Sequence, residues 1–194
     1  MNAQKIIVKL FLQDPAQAHG VKLLPVFQTW IQTHAMDDHL MIDVADYDHV
    51  HEGPGTVLVT HEANLSLDHQ DGRVGLQYQR KQPLPGTFAQ RLAAVFRYAL
   101  EAAARLEDYP GLRFRTDEIS VQIGDRLLAP NTPETFKAVK PELEAFLLKL
   151  LGPSVSFDLA QEDDPDKLFG VTIKSTTSAA ISDLLAKLQA LAAI

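Results

Sequence analysis

The part of the chain best equipped for chemistry is Asp48-His49-Val50-His51-Glu52, followed by a Gly53-Pro54-Gly55 turn and then His61-Glu62. In extended backbone, His-x-His puts both imidazoles on one side of the chain. That arrangement suits two ligands of a tetrahedral or octahedral site, and His61 would supply a third while a fourth position stays open for water. His49, His51 and His61 are therefore the candidate metal ligands, for Zn, Fe or Mn, with Glu62 or Asp46 as candidate catalytic base. The spacing matches neither His-Glu-x-x-His nor the cupin pattern, so the motif has low specificity. The competing reading makes His61 a core histidine on the Val57 and Val59 face, hydrogen-bonded to Asp43 or Asp46, with His49 and His51 solvated.

The surroundings of this motif are unusual in charge. Residues 23–72 hold no Lys or Arg, yet carry nine carboxylates and six of the seven histidines, with His19 just upstream. The net charge of −7 divides into +2 for residues 1–22, −9 for 23–72, +5 for 73–115 and −5 for 116–194. Arg73, Arg80, Arg91, Arg97, Arg105, Arg113 and Arg115 all fall in the third segment. A guanidinium pairs carboxylates in a fixed fork, so segments two and three are expected to neutralise each other, within one chain or across a dimer. Imidazoles among so many carboxylates are expected to titrate above their ordinary range, which raises the idea of a pH sensor.

The elements that must position these residues follow from periodicity and turn chemistry. Lys5–Leu12 reads as a strand. Val21–Thr33 reads as a helix with Leu24, Phe27, Trp30 and Ile31 on one face. Leu40–Val44 and Thr56–Glu62 read as strands on either side of a polar loop, Ala45–Gly55. Asp71-Gly72 turns a hairpin between Leu65–His69 and Val74–Arg80. Thr87–Glu107 is a long amphipathic helix. Ile119–Ile123 turns at Gly124-Asp125 into a short partner strand, Arg126–Leu128. Thr132 caps a helix with Pro133 at its first position, and Pro141 is expected to kink or split it. Val155–Leu159 and Phe169–Lys174 form a last hairpin around an acidic tip, and Ser178–Ala193 closes the chain. Its Leu191-to-Ile194 end is a candidate dimer seam.

Helices thus separate groups of antiparallel strands, the pattern of an α+β fold: a mixed, largely antiparallel sheet built from hairpins with about four packing helices. The only break between halves is Lys81–Gly86, so residues 1–194 are expected to form a single domain, with possible subdomains 1–85 and 86–194. An apolar content of 46% argues against disorder, and no apolar run approaches the ~18 residues of a membrane span. The first residues lack the apolar stretch and cleavage site of a signal peptide, and there is no cysteine. A cytoplasmic protein is expected. The acidic total, and the absence of an interleaved basic–aromatic platform around Tyr47, Tyr78, Tyr98 and Tyr109, speak against nucleic acid.

Ile42-Asp43-Val44-Ala45-Asp46-Tyr47, His61-Glu62-Ala63 and Leu127-Leu128-Ala129-Pro130-Asn131-Thr132-Pro133 resemble segments of bacterial proteins of similar length with no assigned function. The resemblance implies a bacterial cytoplasmic protein and carries over no functional residue.

Three functions fit the sequence. The first is a non-catalytic interaction or accessory protein whose acidic, histidine-rich face docks a basic partner or a second copy. The second is a divalent-metal-dependent enzyme of the hydrolase class, using the three histidines. The third is a small-ligand binder or sensor with a pocket at the end of the Thr56–Glu62 strand.

Overall fold

Strand β1 (Ile6–Leu12) is apolar apart from Lys9, and every residue is buried. Such a run belongs in the middle of a sheet, covered on both sides by neighbours. The computed structural model describes residues 1–192, apart from the side chains at 19 and 191–192. In it β1 lies at the centre of an eight-stranded sheet, order β2-β3-β4-β5-β1-β6-β8-β7. The other strands are β2 (Met41–Tyr47), β3 (Gly55–Thr60), β4 (Ala63–Asp68), β5 (Gly75–Arg80), β6 (Phe114–Ile123), β7 (Phe157–Gln161) and β8 (Phe169–Ser175). All seven pairings are antiparallel. The fold is therefore α+β, and the sheet is wholly antiparallel where a partly mixed one was expected. Because β1 pairs with β5 on one side and β6 on the other, both halves of the chain build the same sheet.

Four helices cover one face: α1 (Leu23–Thr33), α2 (Phe88–Leu106), α3 (Pro133–Leu151) and α4 (Ile181–Ala192). Alternation along β1 sends Ile6, Val8, Leu10 and Leu12 into the helix-side core with Phe27, Phe96, Leu100 and Phe146. The same alternation sends Ile7, Lys9 and Phe11 to the opposite face. There they stand beside Gln77 and Gln79 of β5 and Ser120 and Gln122 of β6. Helix α2 starts with a full capping box, in which Thr87 accepts from the Gln90 amide and the Gln90 side chain accepts from the Thr87 amide.

Several expectations change here. Strand β2 extends to Tyr47, into the expected loop, and β6 begins at Phe114. Arg126–Leu128 forms no strand, and Leu127 stands almost fully in solvent. Helix α3 runs through Pro141 as one element, capped by Thr132. The expected seam at residues 191–194 lies outside the described side chains. No helix among the described residues is long and apolar enough to cross a membrane.

Candidate functional site

The structure does not bring the three candidate ligands together. His49 and His51 sit on the β2–β3 turn, whereas His61 sits on the β3–β4 turn. Six residues of extended β3, about 20 Å, lie between the two turns. Among the described residues no three carboxylates or imidazoles stand close enough to hold a metal ion. His61 is also no core residue: it is exposed, and its backbone amide donates to Leu40 O. Glu62 accepts from the Leu40 amide at 2.8 Å and Asp46 from the Asp48 amide at 2.9 Å. Both candidate bases are therefore occupied in fixing local backbone, at opposite ends of β3.

Around the β2–β3 turn there is nevertheless a cavity of about 800 Å³. One wall is the segment from Pro15 to Leu23, the other the loop Asp48–Thr56, and Leu67, His69 and Val74 complete it. Gly55 (φ +64°) lies in this lining, and its bare Cα is required there. A Cβ would stand 2.6 Å from Leu67 O, 3.3 Å from the His69 ring and 3.5 Å from Asp48 Oδ1. Thr56, buried, donates its hydroxyl to Asp48 Oδ1 at 3.3 Å, which fixes that carboxylate toward the cavity. Of the sequence candidates His51 belongs to this site. His69, which the motif search passed over, joins it because β4 ends beside the start of β3.

The second feature is one of the two free edges of the sheet, the other being β7. Strand β2 pairs only with β3, so its outer edge is open. Leu40 (64% exposed), Ile42 (58%), Tyr47 (43%) and Val50 (43%) lie on or beside it. The acidic segment largely keeps its charge. Only Asp38, Asp68 and Asp71 of its nine carboxylates pair with a cation, namely Arg97, Lys9 and Lys167. Asp37, Asp43, Asp46, Asp48, Glu52 and Glu62 have no ion pair within the described residues. The expected neutralisation by the arginine segment is thus limited to Arg97 with Asp38. Five of the other six guanidiniums are engaged elsewhere: Arg73 and Arg115 hold Glu118, while Arg80, Arg91 and Arg113 bind backbone carbonyls. Arg105 is exposed and has no partner among the described residues.

A third cluster went unseen in the sequence. His39 Nε2 and Tyr78 Oη are 2.8 Å apart, and His39 Nδ1 lies 2.8 Å from Asp37 O. Tyr98 stacks on Tyr78 and donates its hydroxyl to Asp38 at 3.1 Å. Both tyrosines are buried, against the expectation of exposure. The signal was available, since Tyr78 alternates in phase with Leu76 and Tyr98 lies three residues after Val95 on the core stripe of α2. Burial pushes both phenol pKa values up. It pushes the His39 imidazole below its ordinary value, the reverse of the expected rise.

A pH dependence follows. The fold favours neutral His39, so the unfolded chain takes up a proton near pH 6.5 more readily than the folded one. Stability from this group is complete above that pH and is lost as the pH falls through it toward the lower folded value. The melting temperature is expected to drop between pH 7.5 and 5.5, and His39→Gln should remove part of that slope. A variant melting with the wild-type slope would show that His39 does not set it.

Comparison with family models, with curated proteins and with solved structures gives no match.

Proposed function

We propose that this chain is a non-catalytic interaction protein that docks a basic, extended partner segment on the free edge of β2, in the cytoplasm. The observation that carries the reading is the pairing of exposed Leu40, Ile42, Tyr47 and Val50 with the uncompensated Asp37, Asp43, Asp46, Asp48 and Glu52 around one unpaired edge. An open edge binds an extended peptide through its main chain, and alternate side chains provide selectivity. Edge strands are a hazard that inward or flanking charges blunt. Here the charges are all of one sign, so they repel acidic strands and admit basic ones.

The same charge argues against a second copy as the occupant. Two β2 edges side by side would bring Asp43 and Asp46 of each copy together, which like-charge repulsion opposes. Of the arginines in residues 73–115, all but Arg105 are already committed inside the chain.

The test uses a synthetic peptide alternating Lys and Val, with a Glu/Val peptide as control, measured by fluorescence anisotropy. The basic peptide is expected to bind and the acidic one not. Raising the ionic strength from about 0.15 M to about 1 M shortens screening from roughly 8 Å to roughly 3 Å and should weaken binding at least about tenfold. The double variant Asp43→Lys/Asp46→Lys should reverse the preference. Equal binding of both peptides, or an unchanged preference in the variant, would remove the reading.

A further inference from the structure

We propose that the cavity between residues 15–23 and the β2–β3 loop is a binding site for a small organic amine with an apolar body. At about 800 Å³ it is of the size that holds a small-molecule ligand. Its lining is mixed in kind. Ala18, Val21, Leu23, Val50, Leu67 and Val74 supply apolar surface, whereas Asp48, Glu52, His51, His69 and Thr56 supply polar groups.

The sign of the ligand follows from how those groups are held. Asp48 is fixed by the buried Thr56 hydroxyl, and a carboxylate held in place needs little ordering to accept from an ammonium. The rings of His51 and His69 make no hydrogen bond within the described residues, so in the neutral state each offers an acceptor nitrogen. Among the described residues Lys22 is the one Lys or Arg in the lining. It is exposed and unpaired, and its long stem lets the ammonium turn out to solvent. The surrounding segment of −9 concentrates cations at the mouth of the cavity. Gly55 keeps the floor open beside both Asp48 and His69, where any side chain would stand between them.

The lining shares Asp48, Val50 and Glu52 with the docking edge but not Asp43 and Asp46, so variants at Asp43 and Asp46 separate the two readings. The probes are phenethylamine, tryptamine and cyclohexylmethylamine, with 3-phenylpropionate as the anionic counterpart, followed by NMR of the imidazole and Thr56 methyl signals. At least one amine should bind saturably in the high-micromolar to millimolar range, and the anion should not. Asp48→Asn keeps the partner for Thr56 and removes the charge, so it should weaken the amine at least about tenfold. Ala16→Phe, at an exposed lining position, should abolish binding by filling the space. Asp43→Lys/Asp46→Lys should leave amine binding within about twofold, because those groups lie outside the lining. Saturable binding of the carboxylate with equal strength, unaltered affinity in Asp48→Asn, or no saturation by any of the three amines would overturn the assignment.

Discussion

Asp68→Asn is expected to destabilise the protein by about 3–5 kcal/mol, the loss that follows when one partner of a buried ion pair is removed. Lys9 of β1 and Asp68 of β4 meet on the helix-free face, with side chains 9% and 6% exposed. In register, Lys9 lies between Gln77 and Ser120, and Phe11 stands beside it under the Arg73 guanidinium at 3.8 Å. Those neighbours offer the ammonium little to replace a carboxylate. Burial already pulls the Lys9 pKa down against the attraction of Asp68, so without that attraction its charge is stranded.

For a chain of this length the loss corresponds to a melting temperature roughly 10 °C lower. The Lys9 pKa lies below its unfolded value, so the unfolded state binds the proton more tightly and stability should climb as pH rises toward 10. The double variant Lys9→Met/Asp68→Leu removes both charges and should return close to the wild-type stability, since a packed apolar pair replaces a buried ion pair at little cost. Urea denaturation of the wild type and the two variants decides it. A cost below about 1 kcal/mol for Asp68→Asn would mean that the pair is solvated in spite of its burial.

Much of the fold was legible because the local signals agreed with one another. The Asp71-Gly72 turn, the Thr132 cap and the long helix α2 each appear where the sequence places them, and α1 buries Phe27 and Trp30 as expected, with Leu23 and Val26 rather than Leu24 and Ile31 completing its buried face. The reading failed where long-range packing overrode local chemistry. Pro141 costs α3 a backbone hydrogen bond, but Val139, Leu143, Phe146 and Leu147 bury enough apolar surface to carry the helix through it. Strand β2 extends through the polar Ala45–Tyr47 because β3 offers it partners from Thr56 and Gly55 onward. No propensity of those residues announces this.

The candidate site was legible in composition but not in geometry. The acidic, histidine-rich segment does form a distinct region, and its charges largely remain free. Whether His49, His51 and His61 meet depends on the length of β3 and on which turn each occupies, and a one-dimensional spacing does not contain that. His69 and Asp48 come together only because β3 pairs with both β2 and β4, with Tyr47 opposite Gly55, Ser66 opposite Val57, and the His69 amide donating to Gly53 O. The His39–Tyr78–Tyr98 cluster is non-local in the same way, since it joins the loop between α1 and β2, strand β5 and helix α2.

Arg91→Met should cost about 2–4 kcal/mol, for a reason that no charge count reveals. Arg91 is buried in the first turns of α2, and no carboxylate pairs with it. Its guanidinium donates instead to three backbone carbonyls: Ala3 O at 2.9 Å, Met1 O at 2.9 Å and Gly86 O. Five donors in a rigid plane allow one side chain to hold three diverging acceptors. The segment before β1 is thereby tied to the loop that leads into α2, and Ala3 is fully buried at the junction. Methionine has similar length but donates nothing, so the three carbonyls lose charged donors worth about 1.5–3 kcal/mol each, partly recovered by water at the edge of the protein. Lysine should recover only part of the loss, because a single ammonium without the guanidinium fork cannot span all three. Hydrogen exchange gives a second readout: amides of residues 2–6 should lose protection in Arg91→Met while those of β6 keep it. Stability within about 0.5 kcal/mol of wild type, together with unchanged protection at residues 2–6, would show that the segment is held by the burial of Ala3 and Ile6 and not by Arg91.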